Sequence, residues 1–303
     1  MRLFSSLKNI RGLRVTENVP LADMTTFRIG GPCRLLCEPE SPEAAIELFR
    51  ILPQLNVPYA LLGNGSNTLV SDRGFDGIVI RPVSGGKAER LFGNRIRAGA
   101  GMLVPSLACF ARDEGLAGLA FAQGIPGSVG GGLTMNCGAY GANIADVCES
   151  VMCVRPGGEV RIFAGGECGF GYRESIFRNE ELYIIEATFV LTEGDSGAIA
   201  EDMRTYAAKR SASQPLHMPS AGSVFKRPEG YFAGKLIEDA GLKGCRIGGA
   251  EVSEKHAGFI VNAGGATAAD VIALIRHIQQ TVFDRFGVRL EREVCILGDV
   301  EGV

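Results

Sequence analysis

The segment from Phe121 to Gly141 constrains this chain more than any other stretch of its sequence. It holds seven glycines and one proline but no Asp, Glu, Lys or Arg. A surface linker would carry charged residues, so we expect this segment to be built into the fold. Glycine lets the backbone turn with positive φ and lets other groups approach closely, and successive bare N–H groups can form an anion-binding nest. The segment therefore indicates either a seat for a phosphate-bearing cofactor or a buried glycine-rich turn between core strands.

The bulk composition narrows the function classes. The chain has 303 residues, a formal net charge of -3, nine cysteines and three histidines. That length predicts about two domains or three small ones, and the absence of a Lys/Arg-rich run argues against nucleic acid or an acidic membrane as the partner. No apolar stretch reaches the roughly 18 residues of a membrane span. We therefore expect a cytoplasmic protein without a metal site, whose scattered cysteines are small buried hydrophobic residues in a reducing compartment.

The first 200 residues predict two mixed units. Ser41 as N-cap and Pro42 at the first helical position predict a helix to about Leu52. A strand after the Gly30-Gly31 turn and three short apolar strands complete an α/β unit that ends near residue 82. A second, α+β unit follows, and its predicted elements are a helix over 104–113 and antiparallel strands at 95–100, 147–154, 159–163 and 182–191.

The last hundred residues predict a third unit. Residues 199–209 have helical periodicity, and the Ser- and Pro-rich stretch from Arg210 to Gly222 is typical of a linker. Beyond this linker the Thr267-Ala-Ala-Asp270 pattern is a capping box that opens a long amphipathic helix, which we expect to run to about Phe286 and to stop at Gly287. The other predicted elements of this unit are a helix over 232–240, a strand over 259–262 and a closing strand over 288–297.

A second loop offers polar groups to the same phosphate-bearing cofactor. Leu62-Gly-Asn-Gly-Ser-Asn-Thr68 follows an apolar strand and is neither a Walker A loop nor a G-x-G-x-x-G motif that opens a helix. Its glycines permit a tight turn, and its Asn and Ser side chains can donate to a diphosphate without a lysine. An Asn-Gly hairpin turn is the plain alternative. The presence of two such loops in adjacent units favours the binding of one diphosphate between them.

Three further residues are candidates for chemistry. Arg173 lies between aromatic and apolar residues and needs an anionic partner, either a substrate carboxylate or an acid such as Glu174. Ser223 follows a turn of small residues, where it either donates a proton to a strongly basic carbanion or simply bonds its own backbone. Glu293 enters an apolar run, which would raise the pKa of its carboxyl, or it pairs with an arginine at the edge of the core.

Taken together, these segments resemble the UDP-N-acetylenolpyruvoylglucosamine reductase (MurB) family, in its shorter subtype. The matching motifs occur in family order from about residue 20 to 298, and they are Thr26–Gly31, Leu62–Val70, Ala122–Gly141, Gly171–Ser175, Ala221–Lys226, Gly249–His256 and Leu290–Val294. The resemblance implies an α+β chain with an FAD-binding fold of the vanillyl-alcohol oxidase (PCMH) type. It divides into FAD-binding subdomains at 1–82 and 83–209 and a substrate-binding domain at 210–303.

The activity that the resemblance implies is a two-step reduction. NADPH reduces a non-covalently bound FAD, which then reduces the enolpyruvyl group of UDP-N-acetylglucosamine enolpyruvate to give UDP-N-acetylmuramate, a peptidoglycan precursor. The family's catalytic residues match Arg173, Ser223 and Glu293. Arg173 and a protonated Glu293 would stabilise the enediolate, and Ser223 would protonate the carbon. The partners implied are therefore the UDP-sugar and NADPH, with the enzyme acting as a monomer.

The resemblance also implies binding residues. The substrate-binding positions are Tyr172, Gln214 and Lys226, with Arg210 as a further candidate for the diphosphate. The cofactor-binding positions are Arg28, Gly63, Asn64, Gly65, Ser66, Asn67, Gly124, Ile125, Pro126, Gly127, Ser128, Val129, Gly130, Asn136 and Gly138. Arg227 stands where many members have Asn, so the contact made there differs from the family pattern.

Two other functions fit the same scaffold. One is an FAD oxidase that uses oxygen, and such oxidases often tether FAD through a His or Cys near the cofactor loops. Here the loop has Asn and Ser, and only Cys137 lies inside the glycine segment. The other is a non-catalytic sensor of sugar nucleotides, which would bind the substrate and leave it unchanged.

Overall fold

The computed structural model describes residues 6–83 and 86–300. The helices are α1 Pro42–Ile51, α2 Val104–Asp113, α3 Val129–Thr134, α4 Ile176–Asn179, α5 Ser196–Ser213, α6 Ala233–Asp239 and α7 Ala268–Phe286. The strands are β1 Leu13–Pro20, β2 Pro32–Pro39, β3 Tyr59–Leu61, β4 Thr68–Val70, β5 Phe75–Ile80, β6 Ala88–Arg90, β7 Arg95–Gly99, β8 Leu116–Ala117, β9 Gly138–Ala139, β10 Ala142–Asn143, β11 Cys148–Val154, β12 Val160–Ala164, β13 Tyr183–Val190, β14 Thr192–Glu193, β15 Ser220–Ser223, β16 Arg246–Ile247, β17 Ala250–Val252, β18 Phe259–Asn262 and β19 Cys295–Leu297.

The chain divides into two units, and each is discontinuous in sequence. The first unit takes the described parts of Met1–Glu17, Leu35–Asn64 and Ile78–Arg210, and the second takes Asn18–Arg34, Gly65–Gly77 and the described part of Ser211–Val303. The loop at Leu62–Thr68 therefore contributes Gly63 and Asn64 to the first unit and the residues from Gly65 onward to the second.

The first unit holds two sheets, and their buried residues form two apolar clusters. A four-stranded sheet has the order β1-β2-β5-β3, with α1 in its core cluster. A five-stranded antiparallel sheet has the order β12-β11-β13-β7-β6 and shares a second apolar cluster with α2 and α3. This mixed helix and sheet content fits the predicted α+β class, while the predicted boundary near residue 82 stays a prediction.

The second unit is built on an antiparallel sheet of order β15-β18-β17-β16, and the long helix α7 packs in its core. The predicted capping box is present at the start of α7, where Thr267 Oγ1 accepts from the Asp270 N–H and the Asp270 carboxylate accepts from the Thr267 N–H. The helix ends at Gly287, whose φ of 68° is left-handed.

Two predictions are wrong, one about the linker that leads into this unit and one about its closing strand. Helix α5 continues to Ser213, so the stretch that begins at Arg210 is not a linker from its first residue. Its first four residues include Arg, Ala and two Ser, none of which stops a helix. The closing strand spans only Cys295–Leu297, because the preceding residues make a single isolated bridge, Phe225 to Arg292.

All nine cysteines are free thiols, and six of them are buried. None of the helices in the described ranges is long and apolar enough to cross a membrane.

Candidate functional site

The two predicted cofactor loops contact each other within the first unit. Asn64 Nδ2 donates to the Pro126 carbonyl at 2.6 Å. A Cβ placed on Gly63 would lie 2.8 Å from Ser128 Oγ and 3.4 Å from Gly131 Cα, closer than neighbouring atoms tolerate. The loops therefore approach backbone to backbone, as a surface made for a phosphate-bearing guest requires.

Part of the glycine segment is helical, which the sequence did not predict. Ser128 is the N-cap of α3, and its Oγ accepts from the Gly131 N–H at 3.3 Å. Three of the six residues of α3 are glycine, which is among the poorest helix formers, so propensity argued against this helix. The cap and the buried side chains of Val129 and Leu133 stabilise it instead.

Two predicted donors of this segment already have partners. The Val129 N–H donates to the Met102 carbonyl at 2.7 Å, and the Gly130 N–H donates to the Ala100 carbonyl at 2.9 Å. These bonds anchor the segment to the residues between β7 and α2. Val129 and Gly130 can therefore let a cofactor approach the backbone closely, but their N–H groups are already bonded within the protein.

Arg210 lies beside the exposed end of the same segment. A Cβ on Gly124 would lie 3.1 Å from Arg210 Cδ. Burial lowers the pKa of Arg210, with Tyr140 and Cys137 acting in the opposite direction. Because an arginine remains charged even with a lowered pKa, Arg210 brings a positive charge next to the predicted seat of the diphosphate. Ile125 and Gly127 lie between Gly124 and Ser128, half-buried and buried respectively.

Arg173 has an unusual backbone and contacts the glycine segment. Its φ is 58°, in the left-handed region that non-glycine residues rarely adopt. Its Nη2 donates to the Gly138 carbonyl at 3.4 Å, and its guanidinium carbon lies 5.2 Å from the ring centroid of Tyr172. Strained residues of this kind cluster at functional sites. The structure therefore brings predicted catalytic, substrate-binding and cofactor-binding residues together.

Asn136 joins the same two segments and is itself buried, with 6% of its surface exposed. Its Nδ2 donates to the Gly171 carbonyl at 2.8 Å, and its Oδ1 accepts from the Ala145 N–H at 3.2 Å. Ser175 Oγ adds a bond to the Thr134 carbonyl at 2.8 Å. With both ends of its amide bonded to the backbone, Asn136 holds the segment of Arg173 against the glycine segment.

In the second unit, Gly65 lies against the Thr26–Gly31 motif. Gly65 has a φ of 62°, and a Cβ there would lie 2.2 Å from the Met24 carbonyl oxygen. The Thr26 N–H donates to the Gly65 carbonyl at 3.2 Å. Arg28, exposed and with a φ of 56°, follows two residues later. The predicted cofactor residues Arg28 and Gly65 therefore lie on neighbouring segments, and Gly65 tolerates no side chain.

Asn67 connects its loop to the C-terminal glutamate. Its Nδ2 donates to the Glu293 carbonyl at 3.2 Å, and its own carbonyl accepts from the Cys295 N–H at 3.0 Å. From there β4 and β19 continue as a parallel pair. Ser66, half-buried, precedes Asn67. A residue predicted to bind the cofactor and one predicted to act in catalysis thus lie on two segments that are joined by hydrogen bonds.

Ser223 and Glu293 belong to adjacent segments of the second unit. The Glu293 N–H donates to the Val224 carbonyl at 2.8 Å, so Glu293 is bonded to the residue that follows Ser223. Ser223 itself is exposed at the end of β15, where it pairs with Phe259 of β18. The fold thereby brings together two residues that are seventy positions apart in the chain.

Lys226 lies on the same pair of segments. Its N–H donates to the Glu291 carbonyl at 2.8 Å, and its Nζ lies 2.6 Å from Glu291 Oε1. The lysine side chain is largely buried while that of Glu291 is exposed. Gln214, the residue after α5, is half-buried.

Sequence reasoning missed two aromatic surfaces, one in each unit. The rings of Tyr140 and Tyr206 stack with centroids 4.4 Å apart, and Tyr140 Oη donates to the Tyr206 carbonyl at 3.1 Å. The guanidinium of Arg227 lies 4.0 Å from the ring centroid of Phe232, which is 61% exposed. The signal in the sequence was an aromatic residue beside glycine in each case, Tyr140-Gly141 and Gly230-Tyr-Phe232.

Cys137, the one cysteine of the glycine segment, is buried. Burial raises the pKa of its thiol to about 12. The thiolate is the reactive form of cysteine, so this residue is poorly suited to tethering a flavin. Among residues 6–83 and 86–300, no group of three or more His, Cys, Asp or Glu side chains could hold a metal ion.

Comparison with known proteins gives two family matches. Residues 33–164 match the model of an FAD binding domain. Residues 214–297 match the model of the UDP-N-acetylenolpyruvoylglucosamine reductase C-terminal domain. The chain is 49% identical over 285 residues to the UDP-N-acetylenolpyruvoylglucosamine reductase of Carboxydothermus hydrogenoformans, covering 94% of each chain. It is 45% identical to that of Alkaliphilus oremlandii, covering 92% of each.

A solved structure supports the same family. The UDP-N-acetylenolpyruvylglucosamine reductase of Thermus caldophilus matches with a TM-score of 0.82 and 36% identity, over 94% of this chain and 100% of that one. The predicted FAD-binding fold, FAD as the cofactor and the class of oxidoreductase are confirmed. Since it shares nearly half of its residues with a relative along almost its whole length, the chain belongs to the UDP-N-acetylenolpyruvoylglucosamine reductase family.

Proposed function

We propose that this protein reduces the enolpyruvyl group of UDP-N-acetylglucosamine enolpyruvate to a lactyl ether and so forms UDP-N-acetylmuramate for peptidoglycan synthesis. The observation that carries the proposal is the bonding of the Glu293 N–H to the carbonyl of Val224, which places a carboxyl-bearing segment beside the exposed Ser223. FAD, when bound, supplies hydride that it has received from NADPH.

The protein's own residues handle charge and the proton. As hydride adds to the vinyl carbon distal to the carboxylate, negative charge spreads through the adjacent carbon into that carboxylate. Arg173 stabilises this enediolate with its guanidinium, and Glu293 donates a hydrogen bond from its protonated carboxyl. Ser223 then gives its hydroxyl proton to the carbon. Serine is a very weak acid, but the enediolate carbon is basic enough to accept that proton.

The cofactor is bound mainly by backbone. Arg28, the Gly63–Asn67 loop, the Gly124–Gly130 segment, Asn136 and Gly138 form the proposed FAD-binding set. The contact of the two loops through Asn64 and Pro126 supports this set, as does the crowding at Gly63. Within it Asn136 acts by fixing the segment that bears Arg173, since its amide is bonded to Gly171 and Ala145.

Substrate binding falls to residues around Ser223 and Arg173. Tyr172, Gln214 and Lys226 are the proposed contacts, and Arg210 adds a positive charge for the diphosphate. Arg227 and Phe232 extend this set, because a guanidinium stacked on an exposed ring is suited to a nucleobase and a phosphate together. In domain terms, residues 1–82 and 83–209 bind FAD, and 210–303 bind the substrate.

Arg227 has a matched control within the same unit. Arg289 lies 5.0 Å from the ring centroid of Phe283, so it makes the same kind of pair at the end of α7. Arg227→Ala should raise the KM for the UDP-sugar about tenfold, the scale of one hydrogen bond to a charged group, whereas Arg289→Ala should leave it unchanged. An equal effect of both variants would remove Arg227 from the substrate site.

The protein acts in the cytoplasm as a monomer, with the UDP-sugar and NADPH as its partners and without nucleic acid or membrane. A net charge of -3 and the lack of a basic run support this part of the proposal. Sedimentation velocity at micromolar concentration should give a single species of 32.1 kDa plus its flavin.

An anaerobic titration tests the function directly. The purified protein should be yellow, should lose its flavin absorbance on addition of NADPH, and should regain it when UDP-N-acetylglucosamine enolpyruvate is added. A colourless protein would contradict the proposal. Rapid reoxidation by oxygen without turnover of the enolpyruvyl substrate would indicate the oxidase, and binding without any reduction would indicate the sensor.

A further inference from the structure

The chain has three histidines, and one of them, His256, lies in the turn that leads to Phe259. Its side chain is not exposed, and its ring lies edge-on to Phe259 with centroids 4.9 Å apart. Phe259 is the strand partner of Ser223. The proposed reaction as described above gives His256 no role.

The hydrogen bonding of His256 fixes which ring nitrogen carries the proton. Its Nδ1 accepts from the Gly258 N–H at 3.1 Å. A backbone N–H can only donate, so Nδ1 must be the unprotonated nitrogen and the proton of the neutral ring lies on Nε2. Protonation of Nδ1 would set two donors against each other and break this bond.

The bond closes a tight turn. Ser253 Oγ accepts from the Lys255 N–H at 3.2 Å, the Phe259 N–H donates to the His256 carbonyl at 2.9 Å, and the Ser253 N–H donates to the Phe259 carbonyl at 2.9 Å. The imidazole fills the inside of this turn. A Cβ on Gly258 would lie 2.9 Å from His256 Cε1, and one on Gly234 of α6 would lie 3.3 Å from the same atom. Both glycines therefore leave room for the ring.

The turn also holds the segment of Ser223. The Gly258 carbonyl accepts from the Val224 N–H at 2.9 Å, and it belongs to the peptide unit that follows the one whose N–H donates to Nδ1. Val224 in turn accepts from the Glu293 N–H at 2.8 Å. A chain of backbone hydrogen bonds thus leads from the imidazole through Gly258 to Val224, which lies next to Ser223 and is bonded to Glu293.

We propose that His256, as the neutral tautomer protonated on Nε2, is a positioning residue that sets the placement of Ser223 and Glu293 through Gly258 and Val224. This inference rests on the proposed function. A hydrophobic ring of the same size would fill the space inside the turn but would leave the Gly258 N–H without an acceptor.

The surroundings favour the neutral form. Burial lowers the pKa of His256, and the Lys243 ammonium acts in the same direction, while a backbone hydrogen bond at His256 and the Glu238 carboxylate oppose them with a smaller total effect. Glu238 is on α6, and it accepts from Lys243 Nζ at 2.7 Å. The folded protein therefore binds the His256 proton less tightly than the unfolded chain, so this residue's contribution to stability is complete above its ordinary pKa near 6.5 and is lost as the pH falls through the lowered value.

The experiment compares His256→Phe with His256→Asn, and uses His277→Asn on the exposed face of α7 as a matched control. Asn keeps a side-chain acceptor and Phe does not. We expect His256→Phe to reduce kcat for the enolpyruvyl step between about ten- and a hundredfold, the scale of a misplaced catalytic group. KM and the rate of flavin reduction by NADPH should stay unchanged. His256→Asn should recover most of kcat and should lack the acidic fall in rate that we expect of the wild-type protein.

Two results would overturn the inference. One is a wild-type kcat in a folded His256→Phe protein with full flavin content. The other is an imidazole ¹⁵N spectrum, recorded on the wild-type protein at neutral pH, that places the His256 proton on Nδ1. The spectrum does not depend on turnover, so it tests the tautomer even if the enolpyruvyl substrate proves wrong. If His256→Phe fails to fold, the spectrum and the pH profile of His256→Asn decide the question.

Discussion

The two predicted functional regions of this chain are built in opposite ways. In the first unit the loops at Gly63–Asn64 and Gly124–Gly131 approach so closely that a side chain at Gly63 would overlap Ser128, and Asn64 donates to a backbone carbonyl. In the second unit Ser223, Lys226 and Glu293 present functional groups from paired segments that are far apart in sequence. A cofactor's diphosphate needs close approach and backbone donors, whereas the reacting group needs an acid and a stabiliser of charge at defined positions. The difference shows why glycine marks one region and polar side chains mark the other.

The largest expected effect separates the two regions by function. Ser223→Ala should slow reduction of the enolpyruvyl group by about 10²–10⁴-fold, the usual contribution of a general acid. Flavin reduction by NADPH should keep its rate, because the cofactor loops are untouched. Stopped-flow absorbance at the flavin band measures both half-reactions. Unchanged turnover would remove Ser223 from the chemistry.

The next largest effect tests close backbone approach at Gly65, where the same loop continues into the second unit. Gly65→Ala should destabilise the protein by about 3 kcal/mol or more, because alanine would be strained at a φ of 62° and would overlap the Met24 carbonyl. Gly141→Ala is the matched control, since Gly141 has a φ of 87° with nothing within 4 Å, and it should cost only about 1 kcal/mol. Urea unfolding followed by circular dichroism measures both. Equal costs would show that crowding at Gly65 is unimportant.

Loss of the contact between the two cofactor loops should have a smaller effect. Asn64→Ala removes the bond to the Pro126 carbonyl, which is worth about 1 kcal/mol. We therefore expect FAD to bind about fivefold more weakly, while the KM for the UDP-sugar stays the same. Titration of the apoprotein with FAD by flavin fluorescence measures the first quantity. Asn94→Ala, in the turn between β6 and β7, should leave FAD affinity unchanged.

The smallest effect concerns the scaffold of the second unit and its pH dependence. The Thr267 and Gly249 N–H groups hold the pKa of the Asp270 carboxyl below its usual 3.8. A lowered folded-state pKa means that this stabilisation is present above about pH 3.8 and is lost as the pH falls through the lowered value. Asp270→Asn should therefore cost about 0.3–1 kcal/mol at pH 7, the worth of a charge at a helix N-terminus, and nothing near pH 2.

Asp284 on the last turn of α7 is the control for this prediction. Its carboxylate accepts from Gln280 at 2.7 Å, but it lies at the negative end of the helix. Asp284→Asn should not lower stability at pH 7. If the cost of Asp270→Asn were the same at both pH values, its charge would play no part.

Local signals predicted most of the helices. The Ser41 cap, the Thr267–Asp270 capping box and the stop at Gly287 all lie where the sequence places them, because each depends on contacts within one turn. Strand β1 was not predicted, and α3 was not predicted because its glycines disfavour a helix. The closing strand was predicted too long, because its early residues pair only at Arg292, which alternation within one strand does not reveal.

The residues predicted for the site were found by their motifs, but their relations were not. Nothing local to Asn67 indicates that its amide donates to Glu293, or that Asn136 bonds to Gly171 near Arg173. These bonds join positions far apart in the chain, so they exist only after the sheets have formed. The bond from the Val224 N–H to the Gly258 carbonyl, which joins the turn of His256 to the segment of Ser223, is of the same kind.

The sequence by itself determined the family, the cofactor and the candidate residues, because motifs in a fixed order and glycines at close approaches are local properties of the chain. Only the tertiary structure decided which of these residues lie beside one another. It paired Ser223 with the segment of Glu293 and gave Arg173 its left-handed backbone against the glycine segment. Those outcomes depend on hydrogen bonds between distant segments, which the packing of the core fixes and local pattern does not encode.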